Sequence, residues 1–142
     1  MSHGGRVAIR GQSEQGSGMV QGGVRWLLRA EGLALLAAAA MAYGATGASW
    51  WLFAALFLLP DIAMLGYLAG PRIGALAYNT AHATPLPLAI GLLGWWAAPW
   101  LLPYALVWLA HIGFDRAAGY GLKYASAFQD THLGQVGQRK AG

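Results

Sequence analysis

Four apolar stretches, separated by short polar or Gly/Pro punctuation, take up most of the chain. They run over residues 24–45 (VRWLLRAEGLALLAAAAMAYGA), 50–69 (WWLFAALFLLPDIAMLGYLA), 72–94 (RIGALAYNTAHATPLPLAIGLLG) and 99–122 (PWLLPYALVWLAHIGFDRAAGYGL). A helix needs about 20 apolar residues to cross the hydrocarbon core of a bilayer, and each stretch meets that length. The links TGAS, GP and WWAA are too short to hold another domain. The pattern therefore predicts an all-α membrane protein, a four-transmembrane-helix bundle. Residues 1–22 are rich in Gly, Ser and Gln and lack the apolar core of a signal peptide, so they are expected to be a disordered tail. The membrane domain is then 23–124, followed by a C-terminal tail, 125–142.

Composition agrees with this reading: 57% of the residues are hydrophobic and only 10% are charged, against about 25% charged in soluble domains. The few cations are unevenly placed. Arg6, Arg10, Arg25 and Arg29 precede or open the first span, Arg72 follows the second link, and Arg116, Lys123, Arg139 and Lys140 end or follow the fourth. The first and third links carry no charge. The positive-inside rule predicts both termini and residues 70–72 in the cytoplasm (N-in/C-in), as in a multi-pass protein of the plasma membrane. Trp50, Trp51, Trp95, Trp96 and Trp100 fall at the opposite edge, as an interfacial aromatic belt would. The net charge of +4 thus reads as a topology signal, with the lipid bilayer as partner and no nucleic acid.

Against this background the intramembrane polar residues stand out. Asp61 lies in the inner half of the second span, Asn79 and His82 in that of the third, and His111, Asp115 and Arg116 in the inner part of the fourth. His111 and Asp115 are one helical turn apart and share a face, and Asn79 and His82 do likewise. Pro60 precedes Asp61. Pro85 and Pro87 free the carbonyls of Ala81 and Ala83 beside His82, and helices broken in this way persist in membranes where protein or a water-filled cavity satisfies the freed groups. An acid at a helix centre costs about 2.5–3.5 kcal/mol on insertion scales, so such residues mark function by default. The prediction is one cytoplasm-facing pocket.

Some polar residues have a plainer reading. Asn79 suits helix–helix glue, at about 0.6 kcal/mol per contact. Arg116 and Lys123 suit snorkelling to the interface, and Glu31 suits pairing with nearby arginines. Gly66, Gly70 and Gly74, and Gly113, Ala117 and Gly121, recur at four-residue spacing and predict close helix packing, inside the bundle or in a homodimer. The tail pair Asp130 and His132, flanked by Phe128 and Leu133, is expected to dock residues 126–134 over the pocket mouth.

Three functions fit these residues. Two histidines and two carboxylates suit a divalent metal such as zinc, with Asp61, His82, His111 and Asp115 as ligands, joined by Asp130 and His132 from the tail. Arg116 or Lys123 would hold a phosphate or carboxylate, and the reaction would be hydrolysis of an amphiphilic substrate reached from the inner leaflet. No H-E-x-x-H motif is present. The alternatives are a scaffold or accessory subunit with a structural polar core, and proton or small-solute transport as an oligomer. The absence of cysteine rules out thiolate chemistry and disulfides.

The segments RAEGLALL, SWWLFAALFLLPDIAMLGYLAGPRIGALAYNTAH, WLAHIGFDRAAGYGLKY and FQDTHLG resemble a bacterial membrane family known as domain of unknown function 4260, over about residues 25–134. HIGFDRAAGYGLKY and DTHLG are the most specific parts. The resemblance implies a small four-helix membrane protein whose signature is these polar positions; it implies no activity.

Overall fold

The structure is a computed structural model that describes residues 20, 22–125 and 129–135. The expected disordered tail, 1–22, lies outside these residues except for Val20 and Gly22, as do positions 126–128 of the expected lid. The fold is helical. Helix α1 (Gly22–Ala45) is followed by α2 (Trp50–Phe57), which Ser49 caps by accepting the Trp51 amide at 3.2 Å. Pro60 has no amide hydrogen to donate, and the chain continues as a 3-10 helix, Leu59–Ala69, in line with α2. Among the described residues two helical stretches are long and apolar enough to cross a membrane: Gly22–Ala45 and Trp50–Ala69, the latter made of α2 and the 3-10 helix.

The expected third span, 72–94, is two helices in the structure. Helix α3 (Pro71–His82) stops where Ala83 turns extended (φ −91°, ψ 140°), and α4 (Pro85–Trp96) begins two residues later with Pro85 at its first position. The reason is local: proline suits the first turn of a helix and removes the hydrogen bond that would carry α3 onward. A short 3-10 turn, Pro99–Leu101, leads into α5 (Leu102–Ala118). This last helix ends four residues before the expected boundary at 122. Gly119 adopts a left-handed conformation (φ 99°), and the amides of Gly119 and Tyr120 close onto the Arg116 and Asp115 carbonyls.

Helix α5 is the centre, packed by α1, α2 and α4, while α3 packs on the 3-10 helix. Helices α1 and α5 run antiparallel and touch backbone to backbone. A Cβ added at Gly32 would lie 2.7 Å from the Ala117 nitrogen, and one at Gly113 2.5 Å from the Leu36 nitrogen. The glycine stripe of the fourth span thus serves packing within the bundle, and Arg29 Nε seals the pair by donating to the Ala117 carbonyl at 2.8 Å. A further core forms from Ala39, Leu109 and Ala110 with Leu35, Leu36, Phe53 and Phe57 against it.

The two ends of the bundle differ. At one end, Ala45 and Thr46 share a cleft with Trp95 and Leu102, and Tyr43 packs on Trp50 and Phe53. At the other end lie Arg25, Arg29, Arg116 and a small hairpin, β1 (Asp130–Thr131) and β2 (Gly134–Gln135). Much of the lateral surface is apolar: Trp51, Leu68 and Trp96 are 86%, 88% and 89% exposed.

The hairpin departs from a purely helical expectation. Thr131 bridges Lys123 in an antiparallel pair, His132 donates its amide to the Leu122 carbonyl, and Tyr124 donates to Asp130. Val20 joins from the other side by donating to the His132 carbonyl at 2.8 Å. The described part of the tail, 129–134, is docked.

Candidate metal centre

Each site residue is placed by a break or a face. Asp61 sits at the start of the 3-10 helix, next to Pro60; His82 is the last residue of α3; His111 and Asp115 lie one turn apart on α5. The structure brings these four together. His82 Nε2 lies 3.1 Å from His111 Nε2, 3.3 Å from Asp61 Oδ1 and 3.5 Å from Asp115 Oδ2. His111 Nε2 lies 3.5 Å from Asp61 Oδ1 and 3.6 Å from Asp115 Oδ2. One donor atom from each of the four residues lies within 4.8 Å of all the others.

The hydrogen bonding of His82 gives this cluster its meaning. His82 Nδ1 is 2.9 Å from the Tyr78 carbonyl oxygen. A carbonyl can only accept, so the proton belongs on Nδ1, and in neutral imidazole Nε2 is then a bare lone pair. That lone pair faces a second imidazole nitrogen and two carboxylate oxygens. His82 Nε2 and the other three donor atoms lie within 4.8 Å of one another, a set that a cation at their centre would satisfy. Metal–ligand bonds of about 2.0–2.1 Å in a tetrahedron imply ligand–ligand edges of about 3.3–3.4 Å, and the five edges given above run from 3.1 to 3.6 Å. The group could hold a metal ion.

The surroundings orient the donors. The Tyr78 ring stacks on the His82 ring with centroids 3.7 Å apart, and its hydroxyl donates to Asp115 Oδ2 at 3.3 Å. Phe57 meets His111 edge-on at 5.3 Å. His111 Nδ1 is buried with no hydrogen-bond partner among the described residues. Trp108 Nε1 donates to the Ala81 carbonyl at 2.6 Å, taking the place of the amide that Pro85 lacks. His82 and His111 are 3% and 1% exposed and Asp115 14%, whereas Asp61 is 32% exposed, so the site opens on the Asp61 side. A cavity of about 10 Å³ beside Asp115, lined by Tyr78, Arg116 and Tyr120 among others, has room for about one water.

The remaining candidates lie elsewhere. Asp130 and His132 stand outside the four-residue group. His132 Nδ1 instead accepts the Leu122 amide at 2.9 Å, and its imidazole packs against Gly121. Burial pushes the His132 pKa below the usual histidine value, and the Arg116 cation pushes the same way. Lys123 is 7% exposed, with Nζ 4.8 Å from the Tyr78 ring centroid, so it does not snorkel. Burial lowers its pKa, opposed by the carboxylates of Asp115 and Asp61. Asn79 binds the Lys123 backbone twice, donating from Nδ2 to the carbonyl at 2.8 Å and accepting the amide at Oδ1 at 2.7 Å. Glu31 is exposed.

Tyr78 and Trp108 are absent from the residues singled out in the sequence. Tyr78 was within reach, since it precedes His82 by four and shares its helix face. Trp108 looks like any aromatic residue in an apolar run, and only the fold reveals its carbonyl partner.

The sequence profile of a family described as "Domain of unknown function (DUF4260)" matches residues 25–136. No curated protein matches the chain, and no solved structure does.

Proposed function

The chain belongs to the DUF4260 family, and we propose that it is a four-crossing membrane protein that binds one divalent cation, zinc by preference, at Asp61, His82, His111 and Asp115 and hydrolyses an amphiphilic substrate from the cytoplasmic side. The observation that carries this reading is that three other donor atoms, from His111, Asp61 and Asp115, lie 3.1–3.5 Å from the bare Nε2 of His82. The crossings are supported by the exposed apolar surface and by tryptophans at one end of the bundle with cations at the other. The broken α3–α4 pair counts as one crossing, with both ends of the described chain inside. A scaffold would not require donors spaced for a metal.

Within the site the residues divide their work. His82, His111 and Asp115, the three most buried, hold the cation, and two imidazoles with one carboxylate are a ligand set found in zinc hydrolases. A divalent metal there supplies a Lewis acid and lowers the pKa of water. Asp61 is the most exposed of the four and lies next to a proline at the start of a 3-10 helix. Its carboxylate would be placed to hold a proton given up by a water bound at the metal. Arg116, on the wall of the small cavity beside Asp115, holds a phosphate or carboxylate.

The test begins with elemental analysis of detergent-purified protein. About one zinc per chain is expected, lost in His82→Ala and in His111→Ala, with zinc-dependent release of product from a panel of acyl and phosphate esters of long-chain alcohols. Protein that neither retains zinc nor takes it up from solution would refute the metal reading.

One distance also favours a second reading. The 3.1 Å separation of the two Nε2 atoms suits a single proton held between the imidazoles, which makes the pair a proton relay. In that case ¹⁵N spectra of metal-free protein show one shared proton, and added zinc leaves them unchanged.

A further inference from the structure

An apolar cleft of about 410 Å³ runs between the 3-10 helix, α4 and α5, walled by Leu59, Pro60, Ala63, Ile90, Tyr104 and Trp108 among others. We propose that it seats the hydrocarbon chain of a single-chain amphiphile whose polar head lies at Asp61. The proposal names the substrate class for the metal reading and rests on that reading for what happens at the head.

Continuity with the site is the first argument. Pro60 is bonded to Asp61, and Ala81, also in the cleft wall, is bonded to His82. Trp108 precedes His111 by three residues on α5. One end of the cleft therefore abuts the donors, on the side where Asp61 is the exposed member. A chain leaving that point runs along α5 towards Leu101, and the ten residues from His111 to Leu101 rise about 15 Å. That length suits one medium hydrocarbon chain.

The second argument is the construction of the walls. Ala63, Ala81 and Ala105 are small, which leaves the space open. Trp108 is large, but its indole is tied to the Ala81 carbonyl at 2.6 Å, so it is fixed as a wall and does not swing in to fill the gap. The third argument is contrast. A second cleft, of about 470 Å³, is lined by Ala42, Thr46, Leu92, Trp95 and Leu109 among others, and no residue bonded to Asp61 or His82 is in its wall. Size alone therefore does not single out the first cleft; its junction with Asp61 does.

The experiment uses the full chain in nanodiscs and a lysophospholipid carrying a diazirine in its acyl chain. Crosslinks are mapped by mass spectrometry, and zinc is measured on the same samples. Label concentrated on Leu56–Ala63 and Leu101–Trp108 is expected, reduced at least fivefold by Ala63→Phe or by Leu59→Trp and unchanged by Ala42→Phe in the other cleft. A helical circular dichroism spectrum and a size-exclusion profile equal to those of the unmodified chain establish that each variant is folded. Label spread evenly over exposed surface such as Trp51 and Leu68, or gathered in the second cleft, would overturn the proposal. Label in the first cleft on protein that binds no zinc would leave the cleft assignment standing and remove the hydrolytic reading, so the two fail separately.

Discussion

The indole nitrogen of Trp108 donates to the carbonyl oxygen of Ala81 at 2.6 Å. In an unbroken helix that carbonyl would accept the amide of residue 85, and proline has none. The bond therefore closes the gap left where α3 and α4 part, directly beside His82. Trp108→Phe keeps the ring and deletes the donor. We expect a loss of about 1–3 kcal/mol in stability, the cost of a buried unpaired polar group, measured by denaturant unfolding in mixed micelles. Zinc affinity should fall with it, because the residue after Ala81 is His82, a proposed ligand.

Tyr78 acts on two donors at once, through its carbonyl on His82 and its hydroxyl on Asp115. Tyr78→Phe retains the stacked ring and the carbonyl and removes only the hydroxyl. Zinc affinity should drop about tenfold to a hundredfold, the range for partners of metal ligands. X-ray absorption should still find two nitrogen and two oxygen neighbours. Unchanged affinity would mean that Asp115 does not need this bond.

Asn79 carries the contact between α3 and the strand-like segment at Lys123. Asn79→Leu removes both hydrogen bonds, worth about 0.5–1.5 kcal/mol each. Amide exchange should quicken at Lys123 and Thr131, while the zinc content stays at the level of the unmodified protein. Loss of zinc together with faster exchange would mean that the hairpin supports the donors as well.

Docking of the hairpin should depend on pH through His132. Its neutral Nδ1 accepts the Leu122 amide, and its folded pKa is lowered below the ordinary value near 6.5, mainly by burial and in part by Arg116. The sign follows from that direction. The contribution is fully present above the unfolded pKa, about 6.5, and is lost as pH falls through the lower folded value. Amide protection at Leu122, corrected for intrinsic exchange, should fall in acid, and His132→Asn should flatten the response.

Topology can be read with single cysteines, since the chain has none of its own. Ser49→Cys and Ala97→Cys should react with an impermeant thiol reagent in intact cells, whereas Gly70→Cys should react only after lysis. The reverse pattern would invert the bundle.

Legibility in the sequence followed the range of the interactions involved. The meeting of Asp61, His82, His111 and Asp115 was legible because each is costly in an apolar run and no single helix offers it a full set of partners. The i, i+4 spacing of His111 and Asp115 fixed half of the geometry before any fold was known. The break at Ala83 was visible as Pro85 and Pro87, yet hydropathy alone joined α3 and α4 into one span, because a window average does not register a missing amide hydrogen. The tail was harder. Asp130 and His132 read as extra ligands by residue type, but the His132 imidazole is used by the Leu122 amide ten residues back, a contact that depends on a hairpin register no local pattern specifies. Lys123 misled in the same way: a cation near a helix end usually reaches for water, and here the Asn79 bonds hold its backbone while its ammonium lies over Tyr78.

The close approach of Gly32 to Gly113 has a consequence in time. Helix α5 seats α1 and supplies two of the four donors, yet it is the last of the described helices to be synthesised. At about 5–20 residues per second, about 2–7 s separate the emergence of His82 from that of Asp115. During that interval Asp61 and His82 are in the nascent chain without their partners from α5. The segment from Leu59 to His82 is suited to the wait. Gly66 and Gly74 let the 3-10 helix and α3 fold closely onto each other, and in the complete fold these two elements hold His82 within 3.3 Å of Asp61. Asp61 and His82 thus belong to one local unit, and the arrival of α5 adds His111 and Asp115 to complete the group of four.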